Sequence, residues 1–292
     1  MLQSSTGSAP AFSSTPDRVG RDGALALAFE RRGGGTILTA RRFTLPLQAL
    51  EPIPLEADGS VCLMLLNPTG GVLGGDRLES GISLGPGAHV CLTTPSATRV
   101  YRALGPPAVQ DTSIRLAAGA TVEYIPDHVI PHPGSAFHQS LTVEMGPGSR
   151  AILSDALAIG RLAREERWAF AEIMSRITVT SGGRPIFLER IHLDPSRRIP
   201  QGLGGMERFG YVASLGLFAD GFAGWEAVMS ALEARLAASP SVLGGVSLVA
   251  RGGCLVRFLA PSACDLTEAT RGLWAVARRS LLGLPALDLR KS

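Results

Sequence analysis

The sequence predicts a mainly β fold, a superhelical two-layer body of stacked strand-turn-strand units with two α-helices near the C-terminus. Three glycine turns separate similar pairs of strand-like segments, "GISLGPGAHVCLTTP" at 81–95, "SIRLAAGATVEYIPD" at 113–127 and "TVEMGPGSRAILSDA" at 142–156. Up to about residue 220, apolar residues alternate with a period of two, as in strands. After that point they recur every three or four residues, as on one face of a helix. These two observations define a β-rich body followed by a helical region.

The three segments align on one repeated unit. Ala88, Ala120 and Ser149 occupy the same position and are 32 and 29 residues apart, a period typical of stacked supersecondary units. Each segment has a pair of apolar residues two positions apart, as on one face of a strand. The pairs are Ile82/Leu84, Ile114/Leu116 and Val143/Met145, and stacking of the units would bury them in columns.

The same alignment gives Thr94, Pro126 and Asp155 equivalent positions at the ends of the second strands. We therefore expect the segments "TTPSAT", "IPDH" and "SDA" to cluster along one rim of the stack.

The remaining elements complete one β-rich domain, predicted at 21–292, after a polar tail at 1–20 that reads as disordered. The segments "RITVTSGGRPIFLERIHL" and "GGVSLVARGGCLVRFLA" each predict a hairpin, the first with its turn at Gly182 and Gly183. Helices are predicted at about 222–238 and 263–282, and Ser262 with Asp265 forms a candidate capping box at the start of the second.

Composition excludes several classes of protein. The 292 residues carry 28 Lys and Arg against 25 Asp and Glu, a net charge of +3, with 5% aromatic residues and no basic run. Nucleic-acid binding is therefore disfavoured. No apolar run reaches membrane-spanning length, and the start does not resemble a signal peptide. The four cysteines are far apart without a CxxC pair, which favours buried thiols in the reducing cytoplasm.

A glycine-rich loop, "NPTGGVLGGD" at 67–76, follows the apolar run "VCLMLL". The loop lacks the lysine of a Walker loop. The segment after it alternates apolar and polar residues like a strand, whereas a nucleotide-binding loop is followed by a helix, so nucleotide binding is disfavoured. Tight turns explain most of the glycines. They leave unexplained the adjacent carboxylate and guanidinium of Asp76 and Arg77.

Two groups of residues could carry chemistry. Asp127, His128, His132 and His138 lie in one Pro/Gly loop, where a metal site is the weaker reading and a surface loop the stronger. Asp155 and Glu189 are carboxylates in otherwise apolar stretches of sequence. If buried, each must be paired with a cation, protonated, bound to a metal or in contact with water. Arg161 and Arg164 are close enough in sequence to pair with Asp155. Structural ion pairs and a functional role remain open for both carboxylates.

Four blocks together resemble the signatures of the UreD family of urease accessory proteins, called UreH in some bacteria: "NPTGGVLGGDRLE", "TTPSATRVYR", "IPDHVIPHPGSAFHQSLTVEM" and "SDALAIGRLAREERWAF". The resemblance extends from about residue 20 into the C-terminal helices. One departure is that Glu165 stands before Glu166 where the family has glycine.

The resemblance implies a nonenzymatic scaffold that docks on apo-urease and binds UreF and, through it, the GTPase UreG that brings nickel. It implies nickel in transit through a water-filled tunnel, with no tightly bound cofactor. The acidic positions of that tunnel correspond to Asp76, Asp155 and Glu189, and Thr93, Thr94 and Ser96 belong to the neighbouring polar block. Carboxylates, hydroxyls and water would attract the cation and still release it.

A second hypothesis comes from the carboxylates alone: a hydrolase or transferase that uses Asp155, Glu189 and Asp127 as acid and base groups. The common hydrolase signatures are absent from the sequence, so such an enzyme would combine residues that are distant along the chain.

Overall fold

The computed structural model describes residues 21–56, 58–202 and 204–289. The tail predicted at 1–20 lies outside the described residues. In chain order the strands are β1 (Asp22–Arg32), β2 (Gly35–Thr44), β3 (Gln48–Ala49), β4 (Ile53–Pro54), β5 (Val61–Leu66), β6 (Arg77–Leu84), β7 (His89–Thr93), β8 (Thr98–Val100), β9 (Ala108–Leu116), β10 (Thr121–Ile125), β11 (Val129–Pro131), β12 (Ala136–Met145), β13 (Arg150–Ala158), β14 (Glu172–Ser181), β15 (Arg184–Leu193), β16 (Tyr211–Ala219), β17 (Leu243–Val249) and β18 (Gly253–Ala260).

The strands form two layers arranged as a β-solenoid of about four turns, which confirms the predicted fold class. The first sheet has the order β15-β14-β12-β9-β6-β1-β2. The second sheet follows β17-β18-β16-β13-β10-β7-β5-β3, with β4, β8 and β11 attached beside this path. One apolar core fills the space between the two sheets.

The predicted repeat is the solenoid turn. β6, β9 and β12 are parallel neighbours in the first sheet, and β7, β10 and β13 are parallel neighbours in the second. Ile114 lies beside both Ile82 and Val143, so the predicted columns exist and are buried. Each column hides side chains that a single unit would leave in water.

The corner of each repeat contains a glycine in the left-handed region. Gly87, Gly119 and Gly148 all have φ of +66°, between the first-sheet strand and the second-sheet strand of their turns. An L side chain at this φ is strained even where space is available.

We expect Gly119→Ala to lower the free energy of unfolding by about 1 kcal/mol, because the left-handed conformation costs alanine ~1–2 kcal/mol and a stiffer unfolded chain offsets part of it. A Cβ on Gly119 would meet no atom within 4 Å, so backbone strain alone is tested. Gly105→Ala is the control, because it has equal space and no positive φ. Urea unfolding should shift only for Gly119→Ala; equal midpoints would contradict the assignment.

Both predicted hairpins are present. β14 and β15 pair antiparallel around Gly182 and Gly183, which have φ of 57° and 74°. β17 and β18 pair antiparallel along seven residue pairs at the end of the second sheet. Thus the stack of parallel turns ends in antiparallel strands, which need only short connections.

The two helices are α1 (Trp225–Ala237) and α2 (Ala263–Ala277), within the predicted ranges. The predicted helical face of α1 is buried at Val228, Leu232 and Leu236. At the start of α2, the Ser262 hydroxyl accepts from the Asp265 amide at 3.2 Å, which confirms the cap. Neither helix is long and apolar enough to cross a membrane, and the same holds throughout the part of the chain described here.

A second apolar core joins the helices to the outer face of the second sheet. Three of the cysteines, Cys62, Cys91 and Cys254, are buried on this side without a disulfide bond, whereas Cys264 is exposed, so the prediction of buried thiols is wrong for Cys264. After α2 a π-helical turn over 278–282 leads into the C-terminal segment.

A charged network is enclosed between α2 and the sheet. Arg278 and Glu123 are both fully buried, with 2.5 Å between Nη1 and Oε1. Trp274 Nε1 donates to the other Glu123 oxygen at 2.7 Å, and His89 Nε2 lies 2.8 Å from Oε1. Arg278 also pairs with Glu56. The end of α2 is thereby fixed to β10 and to the segment before β5 by interactions that exclude water.

Candidate functional site

The space between the sheets contains one polar level within an otherwise apolar core. On the second sheet, Asp155 lies opposite Ser214, which lies opposite Arg257 on the next strand. On the first sheet, Gln139 lies beside Ser175. These neighbours occupy strand positions that alternate with outward-facing residues, so their side chains meet across the interior.

Asp155 accepts two hydrogen bonds from this level. Gln139 Nε2 donates to Oδ1 at 2.9 Å, and the Ser175 hydroxyl donates to Oδ2 at 2.7 Å. The pKa of Asp155 is raised, first by burial and then by the nearby Glu189 carboxylate; the hydrogen bond from Ser175 opposes the shift. By surface area Asp155 is only partly buried because it borders two cavities, yet desolvation is the largest influence on it.

Glu189 is the second carboxylate of the level and is 5% exposed. Arg257 Nε lies 2.7 Å from Oε1, and the Ser214 hydroxyl donates to Oε2 at 3.1 Å. The Arg257 side chain is 59% exposed, so its charge reaches solvent while Glu189 stays inside. Glu189 therefore forms a structural ion pair. Asp155 instead accepts hydrogen bonds from the uncharged side chains of Gln139 and Ser175.

Three cavities lie in sequence around these carboxylates. A small interior cavity of about 50 Å³ is bordered by Asp155, Thr94 and Asp127. Asp155 also borders a cavity of about 400 Å³ that contains Glu189. Asp127 borders the interior cavity and a third one of about 310 Å³ beneath α2. Each neighbouring pair of cavities therefore shares an acidic lining residue.

The predicted rim of strand ends is confirmed at the interior cavity, where Thr94, Pro126 and Asp155 come together. Thr94 Oγ1 accepts from the Asp127 amide at 2.9 Å. Ser96 borders the cavity beneath α2. Thr93 is fully buried, and its hydroxyl donates to the Ile125 carbonyl at 2.6 Å, which ties β7 to β10.

Asp76 lies apart from the three cavities, because it borders none of them. Its Oδ2 accepts from the Leu73 amide at 2.8 Å and closes the glycine loop. Burial raises the pKa of Asp76, and the Leu73 hydrogen bond opposes this shift. Arg77 begins β6 and is exposed. The glycines permit close approach: a Cβ on Gly71 would lie 2.5 Å from the Tyr101 ring.

Arg161 does not reach Asp155. It forms a two-point pair with Glu166, at 2.5 Å from Nε and 2.6 Å from Nη2. This pair closes the short loop after β13. Glu165 in that loop has φ of 59°, the left-handed conformation that glycine adopts without strain. The structure thus shows why glycine would suit the position where this chain departs from the family pattern.

The segment predicted as one surface loop instead contains β11 and the start of β12, where His138 lies, and its three histidines face different partners. His128 packs edge-on against Tyr211 with ring centroids 5.3 Å apart, and His132 packs against Tyr101 at 4.7 Å. His138 Nε2 lies 2.9 Å from Glu172. Across residues 21–56, 58–202 and 204–289, no three His, Cys, Asp or Glu side chains are grouped to hold a metal ion. The three-histidine alternative is therefore not assembled in this structure.

Sequence reasoning missed the residues that surround Asp155 and Glu189. A usable signal existed: Gln139 interrupts the apolar alternation between Phe137 and Leu141, and Ser175 does so between Ile173 and Ile177. A polar residue at an inward position marks a polar level in the core. Nothing in the sequence connected Glu123 with Arg278, which are 155 residues apart.

Fold and site together define a two-layer β-solenoid protein with a carboxylate-bearing polar level in its core. The model of the family described as UreD urease accessory protein matches residues 21–292. The chain belongs to this family, and membership implies a role in urease maturation.

Curated relatives agree over nearly the whole chain. A urease accessory protein UreD of Deinococcus radiodurans is 35% identical over 285 residues, which cover 95% of this chain and 98% of the relative. One of Alkalilimnicola ehrlichii is 33% identical over 289 residues, covering 96% and 94%. A protein named UreD 2 of Streptomyces griseus is 34% identical over 292 residues, covering 96% and 99%.

Proposed function

We propose that this chain is a nonenzymatic cytoplasmic scaffold that docks on apo-urease, recruits UreF and, through it, UreG, and helps deliver nickel to the urease active site. Nickel is the cargo here and not a resident cofactor. The proposal rests on family membership together with one structural observation: Asp155 lines both the small interior cavity and the neighbouring cavity that Glu189 borders.

The chemistry of the cavity line suits transit. Ni²⁺ binds imidazole and thiolate tightly, so a path built from these ligands would retain the ion. The two cavities that Asp155 borders offer carboxylates at Asp127, Asp155 and Glu189, with hydroxyls at Thr94 and Ser214; among the residues described, the one imidazole on the line is that of His128, which borders the cavity beneath α2. Oxygen ligands spaced along a hydrated path attract a cation and still release it.

Deleting the gene in a urease-positive host is expected to leave urease protein at its usual level and to lower its nickel content strongly. Metal analysis of purified urease, at limiting nickel in the medium, measures this directly. Complementation with the wild-type gene is the control. Full nickel occupancy in the deletion strain would refute the proposed function.

The enzyme alternative retains one supporting observation. Asp155, whose pKa is raised by burial, shares a cavity with Glu189, and a carboxyl group with a raised pKa can act as a general acid. An enzyme would show turnover by the isolated chain with a bell-shaped pH profile. A scaffold would copurify with UreF and urease subunits and require both for its effect.

A further inference from the structure

The loops at one end of the solenoid form a continuous surface. The Val72 amide donates to the Arg99 carbonyl at 2.8 Å, which joins the glycine loop to the loop after β8. The Ala103 amide donates to the Gly134 carbonyl at 3.0 Å, and the Gly134 amide donates to the Ala169 carbonyl at 2.8 Å. We call this surface, formed by 67–76, 97–107, 131–135 and 159–171, the basic rim.

The basic rim has an excess of exposed positive charge. Arg99, Arg102 and Arg164 are exposed, and none has a carboxylate partner among the residues that the structure describes. Arg161 is compensated by Glu166. Arg167 of the same surface is also exposed, and Glu165 is the one exposed carboxylate among its residues, all of which the structure describes, so four exposed arginines outweigh one exposed acid and the rim is positive.

Several arginines of the rim act on His132, which belongs to the same surface. Its pKa is lowered first by burial and then by Arg161, with smaller contributions of the same sign from Arg99 and Arg164. Only Glu166 acts in the opposite direction. The guanidinium groups of Arg161, Arg99 and Arg164 therefore all lie close enough to the His132 ring to lower its pKa.

Two exposed leucines add an apolar centre. Leu104 is 90% exposed and Leu73 is 55% exposed. Their loops touch, because a Cβ on Gly74 would lie 2.6 Å from the Ala103 Cα. An exposed apolar side chain surrounded by charge is a common composition of protein contact surfaces.

The charge of the rim does not suit the other ligands that this protein could meet. Trp168 belongs to the rim and lines the cavity of Glu189, so arginines here would repel Ni²⁺ approaching from this side. Single-stranded nucleic acid is typically bound by stacking on exposed aromatic rings, and Tyr101 is already packed against His132. A protein with an acidic surface fits both the arginines and the leucines.

We propose that the basic rim is a docking surface for an acidic face of a partner protein in urease maturation, with Leu104 inserted into an apolar depression of that face. This inference rests on the proposed function and adds the surface used and the chemistry that it recognises.

The test compares Arg99→Glu/Arg164→Glu with a matched control, Arg150→Glu/Arg184→Glu. Both control arginines are exposed, and they lie at the opposite ends of the strands, at the start of β13 and β15. The probes are the purified apo-urease subunits and UreF of the same organism, each titrated separately. Melting temperatures of all variants establish that the fold is retained.

For the probe that docks on the rim, Arg99→Glu/Arg164→Glu should bind at least about tenfold more weakly than wild type in about 50 mM salt. The difference in affinity between this variant and wild type should be smaller in about 300 mM salt, because salt screens the charges. The control should stay within about twofold of wild type, because its charges lie outside the contact. Leu104→Ser should weaken binding about tenfold at both salt concentrations, since apolar burial is insensitive to screening.

Equal binding by the rim variant and the control to both probes would overturn the inference while leaving the proposed function intact. Loss of RNA binding alone, measured with a single-stranded RNA oligomer, would assign the rim to nucleic acid and also overturn it. Failure of the wild-type chain to bind either probe would instead count against the proposed function.

Discussion

Asp155→Asn is expected to lower the nickel content of urease severalfold without lowering the melting temperature of the variant. The amide nearly preserves shape and can still accept from Gln139, while its NH₂ group can donate to the Ser175 oxygen. Only the negative charge between the two cavities is lost. The measurement is nickel per urease active site at limiting nickel, together with copurification of UreF.

Glu79→Gln is the matched control, because Glu79 is an exposed carboxylate on β6, away from the three cavities. Asp155→Leu should reduce loading further than Asp155→Asn, since it fills the path as well as removing the charge. Glu189→Gln should also reduce loading, and its stability cost should be small because the exposed Arg257 can remain hydrated. Nickel loading that falls only in step with complex yield would contradict a role in transit.

The raised pKa of Asp155 adds a pH signature. A carboxyl pKa raised by folding means that the folded state holds the proton more tightly than the unfolded state. Ionising Asp155 therefore costs stability as the pH rises above about 4. Asparagine carries no such cost, so the melting temperature of Asp155→Asn relative to wild type should increase from pH 4 toward neutrality. A difference that decreases with pH would contradict the environment described for Asp155.

The second large effect concerns the buried network beneath α2. Arg278→Met is expected to lower the free energy of unfolding by about 3–5 kcal/mol, because it leaves the fully buried carboxylate of Glu123 without its cation. Glu123→Leu should cost a similar amount, because it leaves Arg278 with Glu56 as its one carboxylate partner in the network and removes the acceptor of Trp274 Nε1. Urea unfolding measured by fluorescence of the three tryptophans would determine both values.

The control is Arg271→Ala, which removes the ion pair between Arg271 and Asp288 at the surface of the same helix. Both side chains are about 60% exposed, and exposed pairs contribute less than about 1 kcal/mol. Arg278→Met and Arg271→Ala should therefore differ by several kcal/mol. Equal losses would mean that the enclosed network adds nothing to the attachment of α2.

The position of α2 links this network to the cavities. Trp274 donates to Glu123 and also borders the cavity beneath α2. A variant that loosens the network should therefore widen that cavity as well as destabilise the fold. For this reason, nickel-loading effects of Arg278 variants cannot be separated from stability, whereas those of Asp155→Asn can.

The sequence alone determined the solenoid turn. Period-two apolar pairs and glycines at a 29- to 32-residue spacing depend only on local backbone geometry and on the need to bury one face, so both can be read along the chain. The same applies to the face of α1 and the Ser262 cap, which follow from spacing within one helix. The four signature blocks added the family, which the match over residues 21–292 confirms.

Only the tertiary structure decided which charges meet. Arg161 is close enough to Asp155 in sequence to pair with it, but the chain direction after β13 brings Arg161 to Glu166 and leaves Asp155 facing Gln139 and Ser175 from the opposite sheet. Glu123 and Arg278 likewise meet only because α2 folds back over the second sheet. Local periodicity is set by bonds between neighbouring residues, whereas these pairs depend on how distant turns and a terminal helix are placed in space.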